Sequence, residues 1–243
     1  MDKINISIHT DSKTSIGQCL AENKRHLISK LSVIGYYISD IDNRIIRKMC
    51  NTLDDNGSYT GGCLEELDLT KAEIFGSRSG NRGYIGCHAF KGCQTLRTIK
   101  FGKSLTSVSG YDFADCSSLE EINVVADNNH YYSKNGVLYS ILDSSCMPHR
   151  RLQEGEWVLV KVPSQIKDSR KIDLNKIKSI GDSAFENTSL TELEMPNIAP
   201  ICGPEAFKDI DVSTIKLIVP KGTLNNYWCH PVWGNFQIEE KEI

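Results

Sequence analysis

No stretch of this chain approaches the roughly 20 consecutive apolar residues of a membrane-spanning helix. The start, Met1-Asp2-Lys3-Ile4-Asn5, also lacks the apolar core of a secretory leader. The sequence therefore predicts a soluble chain. Charge of one sign is scarce too: 28 Lys and Arg stand against 31 Asp and Glu, a net −3. Without a basic field to hold a polyphosphate, no nucleic-acid partner is expected. The glycines from Gly76 to Gly86 do not follow the spacing of a phosphate-cradling loop, and no Cys-x-x-Cys occurs among the nine cysteines. No cofactor and no metal are expected. Cys87-His88, Cys146-x-x-His149 and Cys229-His230 supply thiols and imidazoles, but a zinc site needs four converging ligands and no more than two are local in each pair.

The chain repeats itself instead. Ile85-Gly86-x-x-Ala89-Phe90-x-x-Cys93-x-x-Leu96-x-x-Ile99-x-Phe101 returns as Val108-x-x-x-x-Phe113-x-x-Cys116-x-x-Leu119-x-x-Ile122-x-Val124, at a constant offset of 23 residues. A period of that length marks a solenoid. Each unit is too small to bury its own apolar face, so the matched positions make sense only if units stack and share a core. Phe90, Phe113 and Phe185 are thus expected in one column. Cys93 and Cys116 fill the same slot, which predicts buried structural thiols better than a disulfide framework.

Further copies follow. Leu64-x-x-Leu67-x-Leu69 precedes the first full unit, and Trp157-x-x-Val160-x-Val162-Pro163 resumes the strand pattern after an interruption. Ile180-Gly181-x-x-Ala184-Phe185 leads to Leu190-x-x-Leu193-x-Met195, and Gly203-x-x-Ala206-Phe207 leads to Leu217-x-Val219. Asn135-Gly136 between Tyr131-Tyr132 and Val137-Leu138-Tyr139 signals an inserted hairpin, because both turn positions need positive φ. Ahead of the array, Ile4-x-Ile6-x-Ile8 alternates as a strand, and Ser15 to Leu31 carries apolar residues at helical spacing. Leu31 to Ile34 then reads as a short strand. A helix after Ser39 would place Ile41, Ile45, Met49 and Leu53 on one face. The expected organisation is an N-terminal cap with helices over 1–62, an array over 63–219 with a hairpin near 127–140, and a C-terminal cap over 220–243. The last of these is rich in aromatic surface from Tyr227, Trp228, Trp233 and Phe236.

The Ile-Gly-x-x-Ala-Phe-x-x-Cys-x-x-Leu-x-x-Ile unit resembles the BspA-type leucine-rich repeat, most cleanly over residues 84–124, and the ending from Val219-Pro220-Lys221-Gly222 to Trp233 is similar to the closing segment of that family. Ser109 in place of a glycine, Asp112 in place of a small residue and Thr188 in place of a cysteine depart from the pattern. The resemblance implies short parallel strands stacked in one curved sheet, an α/β or mainly β leucine-rich-repeat solenoid. It also implies a non-catalytic interaction or adhesion module of bacterial cell-surface or secreted proteins. The partner it implies is a protein, such as a host or matrix surface protein.

Alternation along a strand then names a candidate contact face. If Ile99 and Phe101 point inward, the outward array is Glu66 and Asp68, Thr98 and Lys100, Glu121 and Asn123, Leu159 and Lys161, Glu192 and Glu194, and Lys216 and Ile218. Stacking in register would pair Asp68 with Lys100, Lys161 with Glu194, and Glu192 with Lys216. The array holds no aromatic residue, whereas contact hot spots favour Trp, Tyr and Arg. Tyr131, Tyr132 and Tyr139 on the hairpin are candidate anchors, either for a protein or, in the alternative reading, for a glycan. A thiol enzyme using Cys146 or Cys229 is the third reading. Asn5-Ile6-Ser7, Asn56-Gly57-Ser58 and Asn187-Thr188-Ser189 match the glycan acceptor triplet, a pattern frequent by chance.

Overall fold

The computed structural model describes residues 4–76, 82–141 and 157–242. Five parallel strands form the first sheet in chain order: β1 (Ile4–Thr10), β2 (Ile28–Ile38), β3 (Glu66–Phe75), β4 (Thr98–Phe101) and β5 (Glu121–Val124). The remaining strands are β6 (Tyr131–Lys134), β7 (Val137–Ser140), β8 (Trp157–Lys161), β9 (Ile177–Ile180), β10 (Glu192–Glu194), β11 (Ile201–Cys202), β12 (Lys216–Pro220) and β13 (Gln237–Lys241). They make a second sheet of order β11-β9-β8-β7-β6 and a third, parallel, of order β10-β12-β13. The single curved sheet expected from the repeat is therefore three. The second is mixed, because β6 and β7 are the two arms of the Asn135-Gly136 hairpin and pair antiparallel, as do β7 and β8.

The repeat turns explain the periodicity. Phe90 N–H donates to the Asp112 carbonyl (2.8 Å), Gly92 to Ala114 (2.8 Å) and Phe185 to Ala206 (2.9 Å), so each turn is stitched to the next. Two residues after each of the four repeat phenylalanines the backbone is left-handed: Gly92, Asp115, Asn187 and Asp209. Gly, Asn and Asp are the residues that tolerate that conformation.

The phenylalanines do not form one column. Phe90 stacks on Phe113 (5.7 Å between centroids) with Phe101 edge-on to Phe113, whereas Phe185 stacks on Phe207 at 4.5 Å and is closed off by Trp233 and Phe236. These groups belong to separate cores. The insertion after Val124 is the cause. β7 and β8 run between the cores, turning Leu138 and Val160 to the first and Val137, Tyr139 and Leu159 to the second.

The N-terminal segment departs most from its pattern. α1 (Ile16–Cys19) and a 3-10 turn at Glu22–Leu27 replace the longer helix, and the chain then enters the eleven-residue β2. Strand β2 wins because it gains partners on both sides, β1 and β3. Gly35 lets it approach: with φ +101°, a Cβ there would lie 2.1 Å from the Thr10 carbonyl oxygen. α2 (Ser39–Met49) buries Asp42, Asn43, Ile46 and Met49 and leaves Ile41 exposed, and it ends before Leu53, which is exposed as well. Polar tethers decide this face. Asp42 accepts the Ile16 and Ile38 N–H groups (2.9 and 2.7 Å), and Asn43 donates to the Ile85 carbonyl (2.7 Å). Burial pushes the Asp42 carboxyl up to about 6, against those two bonds. α3 (Leu224–Trp228) lies in the C-terminal segment, where Tyr227 and Trp233 are fully buried.

Candidate functional site

In the first sheet, Leu67, Leu69, Ile99, Phe101 and Ile122 are buried. The residues between them stand on the outer face. Because the strands are in register, those residues form two rows. One reads Asn5, Lys30, Glu66, Thr98, Glu121; the other reads Ser7, Ser32, Asp68, Lys100, Asn123. A hollow of about 210 Å³ lies over the first three strands, with Lys30, Ser32, Glu66 and Asp68 in its lining.

The charges pair both along a row and across the two. Asp68 and Lys100 are register partners, as expected, yet the Lys100 ammonium lies 2.6 Å from Glu66, which also receives Lys30 at 2.9 Å. Asp68 is occupied by its own chain, accepting from the Thr70 N–H and hydroxyl (2.9 and 2.7 Å). Hydrogen bonds from Lys100 and Lys30 hold the Glu66 carboxyl below its usual range. In the third sheet, Glu192 and Lys216 are likewise in register, but Lys216 pairs with Glu239 (2.8 Å). Glu192 and Glu194 stand exposed.

The first sheet also carries aromatic residues that strand-by-strand reading of the repeat missed. Ser32 pairs with Asp68 but Ile34 with Lys71, so β3 holds an extra residue, a bulge, near Thr70. Its inward set switches from Leu67 and Leu69 to Ala72 and Ile74, bringing Phe75 out beside Tyr36 of β2. The rings stack at 4.9 Å, and the Arg82 guanidinium lies 5.5 Å from the Phe75 centroid. The signal was present: Leu67-x-Leu69-x-x-Ala72-x-Ile74 is a two-residue alternation that slips once.

Several candidates are not on a surface. Leu159 and Lys161 are buried, because β8 has apolar cores on both sides. Lys161 does not meet Glu194; its ammonium donates to the Ser183 and Glu186 carbonyls (2.8 and 3.1 Å), and burial brings it down to about 8. Ile218 lies in register between Glu194 and Glu239 and is 5% exposed. The hairpin tyrosines serve the interior. Tyr131 is buried, its hydroxyl accepting from Val108 N–H (2.9 Å) and donating to Val108 C=O (3.0 Å). Tyr139 is fully buried and accepts from Asp173 N–H (2.9 Å), while half-buried Tyr132 is stacked on it and edge-on to Trp157.

No two of the eight described cysteines are joined in a disulfide. Cys93 and Cys116 are buried, and the Cys116 thiol donates to the Phe90 carbonyl (3.1 Å). Beside Cys229, the His230 Nδ1 accepts from the Val232 and Trp233 N–H groups (3.2 and 3.3 Å). Cys146-x-x-His149 lies outside the described residues. Among the described residues no three His, Cys, Asp or Glu side chains are grouped to hold a metal, and no helix is long and apolar enough to cross a membrane.

The family model described as the BspA type leucine rich repeat region matches residues 64–143 and 165–228 in six copies. No curated protein matches the chain. Among solved structures, a leucine-rich repeat protein from Eubacterium ventriosum is 14% identical with a TM-score of 0.43, covering 90% of this chain and 57% of its own. A leucine rich cell surface protein from Faecalibacterium prausnitzii is 17% identical (TM-score 0.35; 81% of this chain, 62% of its own). The pneumococcal vaccine antigen PcpA is 14% identical (TM-score 0.36; 98% and 79%). The chain thus spans less than two thirds of the length of the first two proteins.

Proposed function

Because the chain belongs to the BspA-type leucine-rich repeat family, we propose that it is a protein-interaction module, without catalysis of its own, whose partner lies across the outer face of the first sheet. The observation that carries this reading is the join of two unlike surfaces on one rigid sheet. The two polar rows supply Lys30, Glu66, Lys100 and Glu121, and beside them stands the Tyr36, Phe75 and Arg82 cluster. Aromatic and Arg anchors beside a polar rim are the usual make-up of a protein contact. In this reading the repeats form a solenoid, residues 1–62 and 220–243 finish its ends, and the module works at the cell surface or in secreted form, adhering to a host or matrix surface protein. Support for the location and the adhesion comes from the family resemblance alone. The glycan alternative loses two of its three anchors, since Tyr131 and Tyr139 are committed to the interior.

The test is capture from host matrix and cell-surface extract on immobilised chain, run beside Tyr36→Ala and a Glu66→Lys, Glu121→Lys double variant. A partner retained by the parent and lost at least about tenfold by Tyr36→Ala fits an anchor of roughly 1.4 kcal/mol or more. Equal capture by all three proteins, or sugar ligands alone on a glycan array, would overturn the proposal.

A further inference from the structure

The last repeat turn, residues 203–208, is flanked by two grooves that share Gly203 and Pro204. The first, of about 310 Å³, has Val160 and Ile180 among its apolar lining and Tyr111 as its aromatic wall. Gly110 lets the Tyr111 turn come this close: a Cβ there would lie 2.3 Å from the Asp182 carbonyl oxygen. The second, of about 450 Å³, is lined by Phe207, Val212, Pro231 and Val232, with Glu205 and Lys208 as its charged residues. Neither groove touches the outer face of the first sheet.

The first groove is lined by an acid without a base, whereas the second holds one of each. Asp182 lines the first groove; Glu205 lines the second, and its carboxylate accepts from the Tyr111 hydroxyl (3.0 Å) across the shared turn. The Asp182 carboxylate accepts the Glu205 N–H (3.0 Å), which fixes both acids beside one aromatic ring. Glu186, buried nearby with one carboxylate oxygen lacking a hydrogen-bond partner, also bears electrostatically on that ring. β11, the edge strand of the second sheet, puts Ile201 (65% exposed) at the rim of the first groove, and Ile198 of the preceding loop is 82% exposed.

We infer that this ridge is a second contact surface, which takes an extended peptide segment of a protein partner with an arginine in the first groove and an apolar side chain in the second. A guanidinium stacks on a tyrosine face and presents a planar fork to carboxylates, which a compact ammonium does not. Alternate residues of an extended peptide point to the same side, so an Arg-x-Leu spacing addresses both grooves, while the open edge of β11 offers main-chain pairing.

The probe is the capped peptide acetyl-Arg-Ser-Leu-amide, titrated into the isotopically labelled full chain and followed by amide chemical shifts. Saturable shifts are expected at Tyr111, Gly181 and Gly203 and, in the second groove, at Phe207 and Val232. Glu205→Gln should weaken binding at least about tenfold, in line with loss of a charge-assisted contact. Replacing arginine by uncharged, isosteric citrulline should weaken it similarly on the unaltered chain, which separates charge recognition from any misfolding of the variant. Three results overturn the inference: no saturable shift up to roughly 10 mM, well beyond a millimolar affinity; equal binding of the citrulline peptide; or shifts confined to the sheet face.

Discussion

The two cores are built from the same repeat and closed differently. In the first, Phe90, Phe101 and Phe113 pack with buried Cys50, Cys93 and Cys116. In the second, Phe185 and Phe207 are closed by Trp233 and Phe236, and the cysteine slot holds Thr188, whose hydroxyl bonds the Phe185 carbonyl in its own turn (2.7 Å). The first core passes that bond between turns, from the Cys116 thiol to the Phe90 carbonyl. A repeat slot therefore specifies a need, a donor small enough to sit inside, more than a residue type. What separates the cores is not in the repeat at all. It is the inserted hairpin, with β8 beside it, whose alternate side chains face opposite ways.

The strongest way to break this comparison is a mutant cycle. Phe90→Ala and Phe185→Ala should each destabilise by about 3–5 kcal/mol in chemical denaturation. Combined, they should add to within about 0.5 kcal/mol, whereas Phe90→Ala with Phe113→Ala should couple by about 0.5–3 kcal/mol. Coupling of similar size between Phe90 and Phe185 would show one core, not two.

Lys161 probes the strand between them. Its folded pKa, about 8, lies below the ordinary 10.5, so between those values the unfolded chain binds more protons and stability rises with pH. Below pH 8 both states are protonated and the burial cost is carried in full. Relative to Lys161→Met, the parent chain should gain about 3 kcal/mol between pH 8 and 10.5. Buried Tyr139 and Cys93 are held above their usual range and act in the opposite sense, so the difference between the two titrations is the quantity to measure. Parallel curves would mean that Lys161 is not buried as a cation.

Tyr131→Phe tests how the hairpin joins the first core. Removing the hydroxyl leaves the buried Val108 N–H and C=O without that partner. A loss of about 2 kcal/mol is expected, measurable by thermal unfolding. Glu66→Gln, on the outer face, should cost only about 0.2–1 kcal/mol and less in high salt, because its two lysines keep part of their contact with water. A larger loss would make the polar rows structural and weaken the case for them as a contact face.

Much of the fold was legible because stacking demands recurrence. The Phe, Leu and Ile slots of residues 85–124 are buried as their spacing requires. Even the departures were readable as a pair: Ser109 and Asp112 bond each other, Asp112 Oδ2 accepting from the Ser109 N–H (2.8 Å) and hydroxyl (3.0 Å). The left-handed slot two residues after each phenylalanine, filled by Gly, Asp, Asn and Asp, was equally present in the letters. Which residues point outward was legible where strands kept register, at Glu66, Asp68, Thr98, Lys100, Glu121 and Asn123, and illegible at Leu159, Lys161 and Ile218. Alternation tells which residues share a side; it does not tell what covers that side.

By itself the sequence determined the repeat: its period, its buried Phe, Leu and Ile slots, its turn chemistry and its hairpin, all local consequences of steric preference and apolar spacing. Tertiary structure alone decided how many cores those repeats make, which carboxylate each lysine pairs with, and where Tyr36 meets Phe75. Those outcomes depend on which distant segments become neighbours, and a bulge or an insertion changes the neighbours without changing the pattern of any single repeat.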